Sequence, residues 1–253
     1  MKVIIVKCLS DNYSYIIFNE KTLIAAVIDP SEAEPIIAEI KKNNLKLMYI
    51  FNTHHHYDHV GGNSQLKNDY KCKVVGFEKD KERIPGIDIT LKDNQNFKNE
   101  LFECEIIHVP GHTSGHISIY IKEISALFTG DTLFSLGCGR IFEGTYDEMF
   151  NSINKLKKFP INTKIYCGHE YTKNNSIFCK SIDNRNSKLI KKIREIDMNI
   201  KNNKPTIPST IKDEMECNIF LRADNLQIQK QLGINSKDPI KTFIKLRDLK
   251  DNF

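Results

Sequence analysis

The 253-residue sequence contains no run of 18 consecutive apolar residues, so it predicts no transmembrane helix. Its first residues alternate like a β-strand and lack the basic region, apolar stretch and cleavage site of a signal peptide. None of the seven cysteines is arranged as CxxC, and a chain of this length needs no disulfide staples, so reduced thiols are expected. These absences predict a cytoplasmic protein without a membrane partner.

The composition is that of a globular protein, with 40% apolar and 27% charged residues. The net charge of +5 is unevenly distributed. Residues 1–173 contain 21 Lys/Arg and 22 Asp/Glu, whereas residues 174–253 contain 16 and 10. This basic excess indicates either a solvated, lysine-rich helical surface or a positive surface for an anionic partner, which would be a small substrate or a nucleic acid.

Both strand-like and helix-like patterns occur up to about residue 173, and only helical spacing follows. We therefore predict a mixed α/β domain over 1–173 and a small helical domain over 174–253. The predicted strands are 2–7, 13–18, 23–29, 47–52, 73–77, 101–108, 116–121, 125–129 and 163–167. The predicted helices are 31–43, about 62–69, 145–158, 186–203, 224–232 and 239–250.

Four of the eight histidines fall within the seven-residue run THHHYDH. The run follows the strand-like LMYIF, which places it at the C-terminal end of a strand, where open α/β folds carry their chemistry. In an extended chain His54 and His56 point to one side and His55 to the other. A helical zinc-protease motif would instead pair His55 with His59 and require Glu next to the first of them, where the sequence has histidine. That motif is excluded.

Further candidate ligands end β-like runs beside glycines, which let loops approach closely. They are His112 in HVPGHTSGH, Asp131 in TGDT and His169 in YCGHEY. Asp29, which ends LIAAVID before a proline, is either a supporting residue or an ordinary turn aspartate, and it is left out of the predicted site.

There are more candidate donors than one tetrahedral metal ion requires. Their number suits two ions that share a carboxylate. Imidazole and carboxylate donors favour zinc, although iron or manganese accepts the same set. His55, His108 and His116 are expected to be hydrogen-bonded core or surface residues, with support of the ligands as the alternative. The predicted ligands are His54, His56, Asp58, His59, His112, Asp131 and His169.

These motifs resemble the metallo-β-lactamase superfamily, whose pattern is T-H-x-H-x-D-H. The sequence is similar in particular to the glyoxalase II family of hydroxyacylglutathione hydrolases, through THHHYDHVGGN, GHTSGH, TGDTLFSLGCGR, YCGHEYT and KLRDLKDNF. The resemblance implies an αββα sandwich with a C-terminal helical domain. It also implies two ions bridged by Asp131, one held by His54, His56 and His112 and the other by Asp58, His59 and His169.

The resemblance implies hydrolysis of S-(2-hydroxyacyl)glutathione, typically S-D-lactoylglutathione, to D-lactate and glutathione, the second step of methylglyoxal detoxification. A hydroxide between the two ions would be the nucleophile, and Asp58 would be a ligand that orients it. Glutathione carries two carboxylates, so its site needs fixed cations. The implied glutathione contacts are Arg140, Tyr171, Arg247 and Lys250.

Rival functions each conflict with the sequence. A metal-dependent nuclease of the same superfamily is the main alternative, but no basic, glycine-rich arm is inserted in the chain. A persulfide dioxygenase would use one iron and lack the second ligand set, a β-lactamase would need a secretion signal, and a non-catalytic binding protein would have lost ligands. The expected partner is therefore a small glutathione thioester, with no nucleic acid and with a monomer or weak homo-oligomer as the assembly.

The sequence departs from the family pattern at Phe142, where many relatives carry a tyrosine that hydrogen-bonds glutathione. We expect Phe142→Tyr to lower KM for a glutathione thioester several-fold, because one hydrogen bond contributes about 1 kcal/mol. Steady-state kinetics of the purified variant test this, and an unchanged or higher KM would contradict it.

Overall fold

The computed structural model describes residues 1–234 and 238–253, and the chain forms two compact units. Unit 1 comprises Met1–His108 and Ser114–Gly130, and unit 2 comprises Val109–Thr113 and Asp131–Phe253. The predicted domain boundary at residue 173 rests on a different criterion, the end of the strand patterns, and stays a prediction.

Unit 1 contains a six-stranded sheet with the strands in chain order, antiparallel from β1 to β3 and parallel from β3 to β6. The central strands are almost uniformly apolar, as strands buried on both faces are. A second group of four strands, β7 to β10, is antiparallel. The strands are β1 (Lys2–Cys8), β2 (Asn12–Phe18), β3 (Ile24–Ile28), β4 (Lys46–Phe51), β5 (Lys73–Phe77), β6 (Ile87–Leu91), β7 (Asn96–Lys98), β8 (Glu103–His108), β9 (Ile117–Ile121) and β10 (Ala126–Gly130).

Helices α1 (Ala33–Lys42) and α3 (Asn63–Tyr70) cover one face of the six-stranded sheet, and α2 (Tyr57–Val60) is a single turn that precedes α3. Ile36 and Ile40 of α1 are fully or almost fully buried there. Burial of such a side chain contributes about 1.5–3 kcal/mol. Aromatic pairs join the other face to the second group of strands, with ring centroids 5.3 Å apart for Tyr15–Phe128 and 5.5 Å for Phe51–Phe102. Unit 1 is therefore a layer of helices on two layers of strands.

Unit 2 is mostly helical. It contains the hairpin of β11 (Leu133–Phe134) and β12 (Gly137–Cys138) and the antiparallel pair of β13 (Lys164–Cys167) and β14 (Ser209–Thr210). Aromatic pairs such as Phe150–Phe243 and Phe178–Phe220 pack in its interior. Its helices are α4 (Tyr146–Leu156), α5 (Thr172–Ile182), α6 (Ser187–Lys201), α7 (Ile211–Cys217), α8 (Leu226–Gln231) and α9 (Pro239–Asp251).

All nine predicted strands and all six predicted helices are present, with ends shifted by a few residues. The predictions missed β6, β7, the short strands of unit 2, and helices α2, α5 and α7. Helix α5 begins TKNN, a polar start without the apolar spacing on which the prediction depended. In the described parts of the chain, no helix is both long and apolar enough to span a membrane.

Most helices of unit 2 begin after a polar residue whose side chain accepts a hydrogen bond from the first turn. The Thr145 hydroxyl accepts a hydrogen bond from the Glu148 backbone N–H at 3.2 Å, and the Glu148 carboxylate accepts one from the Thr145 N–H at 2.8 Å. This reciprocal capping box provides acceptors for two backbone N–H groups that would otherwise have no partner within the helix. It fixes the start of α4.

We expect Thr145→Ala to lower the free energy of unfolding by about 1 kcal/mol, because the cap is lost while the helix interior is unchanged. Urea unfolding of the purified variant measures this. Thr145→Ser keeps the hydroxyl and is the matched control, so equal losses in both variants would contradict the role of the cap.

Candidate metal centre

The histidine run lies directly after β4, where the chain leaves the six-stranded sheet. The rings of His54 and His56 are 4.7 Å apart and those of His54 and His59 are 4.1 Å apart. His54 and His59 are buried. The expected grouping of His54 with His56 is therefore observed, and the turn of α2 brings His59 to the same place.

A buried aspartate that is not among the predicted ligands fixes this loop. Asp29 directly follows β3, lies in the left-handed region with φ of 48°, and is 2% exposed. Its Oδ1 accepts from the Thr53 backbone N–H at 2.7 Å, and its Oδ2 accepts from the Thr53 hydroxyl at 2.6 Å. The same Oδ2 lies 3.0 Å from Nδ1 of His59. With the proton on Nδ1 donated to Asp29, the lone pair of His59 is on Nε2, as a metal ligand requires.

Asp58, in the first turn of α2, is held from a neighbouring strand. The Asn12 side-chain amide donates to Asp58 Oδ2 at 2.9 Å and to the Asp58 backbone carbonyl at 3.1 Å. Oδ2 lies 3.6 Å from Nε2 of His59. Two of the predicted ligands thus present a carboxylate oxygen and an imidazole nitrogen side by side.

The predicted ligands of unit 2 also lie together. Oδ2 of Asp131 is 3.4 Å from Nε2 of His112 and 3.3 Å from Nε2 of His169. Two donors at bond lengths of about 2.1 Å and a tetrahedral angle are about 3.4 Å apart. The spacing of these atoms therefore fits ligands of a bound cation, with the Asp131 oxygen between two imidazoles.

The loop of Gly139 and Arg140 positions His112. The carbonyl of Arg140 accepts from His112 Nδ1 at 2.9 Å, which leaves the lone pair on Nε2. A Cβ atom at residue 139 would lie 1.9 Å from the Asp131 carbonyl oxygen, so this close approach requires glycine.

The predicted ligands therefore form one group in each unit, four residues in unit 1 and three in unit 2. That the two groups hold the same ions stays a prediction.

The other three histidines have structural contacts. His55 lies 3.3 Å from Asp80, His108 bonds the Ser114 carbonyl at 2.9 Å, and His116 stacks on His54 with ring centroids 4.6 Å apart.

Two of the predicted glutathione contacts lie beside the donor group of unit 2. The Arg140 side chain is 62% exposed. The Tyr171 ring stacks on that of His169, with centroids 4.7 Å apart and planes at 5°. Phe142 is exposed, with its ring 5.1 Å from that of His112. These side chains border His112 and His169, two of the predicted ligands.

The other two contacts are on α9. Arg247 is only 3% exposed, and it donates from Nη1 to the Cys138 carbonyl at 2.8 Å and from Nη2 to Asp251 at 2.9 Å. Asp251 also lies 3.5 Å from Nε of Arg140. Burial, followed by the charges of Arg247 and Arg140, lowers the pKa of Lys250, whose ammonium lies over the Phe178 and Phe253 rings. Arg247 therefore stabilises the segment that carries Arg140, a role the sequence did not reveal.

The fold belongs to the metallo-β-lactamase class. The model of the metallo-beta-lactamase superfamily matches residues 10–169, and that of the hydroxyacylglutathione hydrolase C-terminus matches residues 170–253. The B3 metallo-beta-lactamase BLEG-1 superposes with a TM-score of 0.68 at 23% identity, over 87% of this chain and 99% of that one. ETHE1 from Myxococcus xanthus superposes with a TM-score of 0.70 at 21% identity, over 98% and 90%. The predicted fold class, with its C-terminal helical domain, is confirmed.

Full-length relatives identify the family within this class. The hydroxyacylglutathione hydrolase of Pelagibacter ubique (strain HTCC1062) is 54% identical over 253 residues, which cover all of both chains. That of Rhodospirillum rubrum is 44% identical over 97% of this chain and 96% of its own. The chain therefore belongs to the hydroxyacylglutathione hydrolase family, a family of enzymes, and the resemblance seen in the motifs is confirmed.

We expect Asp29→Asn to weaken zinc binding about 10- to 100-fold, because an amide cannot accept from the Thr53 N–H, the Thr53 hydroxyl and His59 Nδ1 together. Competition for Zn²⁺ with a chromophoric chelator measures the affinity. Asp69→Asn, at an exposed position of α3, is the control. Equal zinc affinity in the two variants would contradict the role of Asp29.

Proposed function

We propose that this chain hydrolyses the thioester bond of S-(2-hydroxyacyl)glutathiones, S-D-lactoylglutathione above all, to the 2-hydroxy acid and glutathione. The reaction is the second step of methylglyoxal detoxification. The observation that carries the proposal is the 54% identity, over the full length of both chains, to a hydroxyacylglutathione hydrolase. The similarity includes the C-terminal third, which a metallo-β-lactamase fold alone does not require.

The proposed cofactor is a pair of divalent metal ions, with zinc as the first choice and iron or manganese as alternatives. The donor chemistry and the spacing around Asp131 support this assignment. When bound, such ions supply an activated water and a Lewis acid for the thioester carbonyl. The proposed ligands are His54, His56 and His112 for one ion and Asp58, His59 and His169 for the other, with Asp131 shared.

The side chains around these ligands keep the donors in the required state. Asp29 and the Arg140 carbonyl accept from the Nδ1 atoms of His59 and His112, so both imidazoles present Nε2. Asn12 donates to Asp58, which holds its carboxylate in place to accept a hydrogen bond from the attacking water. We assign Asp58 the orientation of that water rather than free general-base catalysis.

Cysteine nucleophiles offer no competing route to thioester cleavage. All seven cysteines are buried. Burial raises the pKa of Cys138 to about 11 and that of Cys167 to about 12. Since the thiolate is the nucleophile, these thiols are unreactive near neutral pH. Direct attack by water is the route that fits the chain.

Glutathione is proposed to bind beside the donors of unit 2, through Arg140, Tyr171, Arg247 and Lys250. Arg140 is the exposed cation of the group and is oriented by Asp251. A guanidinium offers paired N–H donors that match a carboxylate. The thioester is the proposed partner, with a cytoplasmic location, no nucleic acid, and a monomer or weak homo-oligomer as the assembly.

The experiment that tests the proposal is hydrolysis of S-D-lactoylglutathione by purified, zinc-loaded protein, followed as loss of the thioester. We expect turnover that a chelator abolishes and added Zn²⁺ restores. Absence of turnover by the metal-loaded protein would overturn the substrate assignment and leave only the family's fold.

We expect Arg140→Ala to raise KM about tenfold with little change in kcat, because it removes a charge-assisted hydrogen bond to a part of the substrate distant from the thioester. Steady-state kinetics separate the two constants. Arg194→Ala, which removes an exposed arginine from α6, is the matched control. The same KM in both variants would contradict the assignment of Arg140.

A further inference from the structure

His55 lies between two proposed ligands, yet its ring is held by a separate cluster in unit 1. Its Nδ1 is 3.3 Å from Oδ2 of Asp80, and its Nε2 is 3.5 Å from Nη1 of Arg83. An imidazole that donates from Nδ1 and accepts at Nε2 satisfies both partners. His55 is therefore anchored by side chains that are not among the proposed ligands.

Asp80 is the centre of this cluster. Its side chain is fully buried, and its Oδ1 accepts from Nε of Arg83 at 3.0 Å and from Nη2 of the same guanidinium. A buried carboxylate needs such a partner, because the cost of its desolvation is large. A buried ion pair is by itself weak evidence for stability, since apolar residues of similar volume often stabilise as well. Stabilisation of the fold alone therefore does not account for this cluster.

The cluster also holds the loop before β9. Nη2 of Arg83 donates to the Ser114 hydroxyl at 3.0 Å. A Cβ atom at Gly115 would lie 1.9 Å from Oδ1 of Asp80, so the loop backbone packs directly on the carboxylate. His116 follows, and its ring stacks on that of His54 at 21°. The cluster is thus connected to His54 in two ways. His55 is its neighbour in the chain, and His116, which follows the loop held by Arg83, stacks on its ring.

We propose that Asp80, Arg83 and His55 form a clamp that positions His54 and His56 and thereby sets the affinity of the chain for the metal ion those histidines bind. The inference rests on the proposed metal centre. Without the clamp, the loop would lose conformational freedom at the moment of metal binding, and the affinity would fall by that cost. Asp80 and Arg83 are positioning residues that act through His55 and the loop of Ser114.

The test is the Zn²⁺ affinity of the full chain carrying Asp80→Asn, measured by competition with a chromophoric chelator in the absence of substrate. We expect it to be at least about tenfold weaker than that of the wild type, as for other groups that orient metal ligands. The melting temperature of the metal-free protein is measured in parallel.

Asp183→Asn is the matched control. Asp183 is also buried and paired with an arginine, Arg222, but it lies at the end of α5 in unit 2. We expect this variant to lower the melting temperature and to leave the zinc affinity unchanged. An Asp80→Asn protein that melts lower but binds zinc like the wild type would reduce the cluster to a structural ion pair and overturn the proposal.

His55→Ala decides the question even if Asp80→Asn fails to fold, because it leaves the Asp80–Arg83 pair intact and removes the direct link between that pair and the segment of His54 and His56. We expect a loss of zinc affinity of similar size, with partial recovery in His55→Asn, which keeps an N–H donor. Wild-type affinity in His55→Ala would overturn the clamp. Since no thioester enters these measurements, a wrong substrate assignment affects only the hydrolysis assay.

Discussion

The hydrogen bonds accepted by the buried Asp29 carboxylate are the constraint on which the histidine loop depends. They fix the backbone of Thr53 where the chain leaves β4 and the ring of His59 after the next turn. Because the acceptor is a carboxylate, His59 keeps its proton on Nδ1 and its lone pair on Nε2. The aspartate that follows β3 thereby determines both the ring position and the tautomer of a histidine in α2.

In unit 2 a predicted ligand histidine is also oriented by a hydrogen bond from its Nδ1, but the acceptor is a backbone carbonyl. The Arg140 carbonyl fixes the ring of His112, and Arg247 on α9 holds the preceding Cys138 carbonyl. Helix α9 therefore stabilises the position of His112, a proposed metal ligand, and, through Asp251, orients Arg140, the cation proposed to bind the substrate. Loss of packing of α9 would weaken both functions together. This connection links α9 to the proposed metal site as well as to the proposed glutathione site.

The residue patterns predicted a mixed α/β domain followed by helices, and the resemblance to a known family supplied the αββα arrangement. The predicted ligands that gather in each unit could be found because histidines and aspartates beside glycines at strand ends form a pattern that can be read locally. The supporting residues could not be predicted in this way. Asp29 and His59 are 30 positions apart, and His55 and Asp80 are 25 apart. An aspartate before a proline is equally typical of a plain turn. Only the contacts between distant segments distinguish the two cases.

The central proposal is that the seven predicted ligands bind one pair of metal ions. Anomalous diffraction from crystals of the zinc-loaded protein, recorded on both sides of the zinc absorption edge, tests it directly. The account predicts two zinc peaks, each at bonding distance from an oxygen of Asp131, with the histidines of both units as the other ligands. One zinc peak, or peaks remote from Asp131, would contradict it.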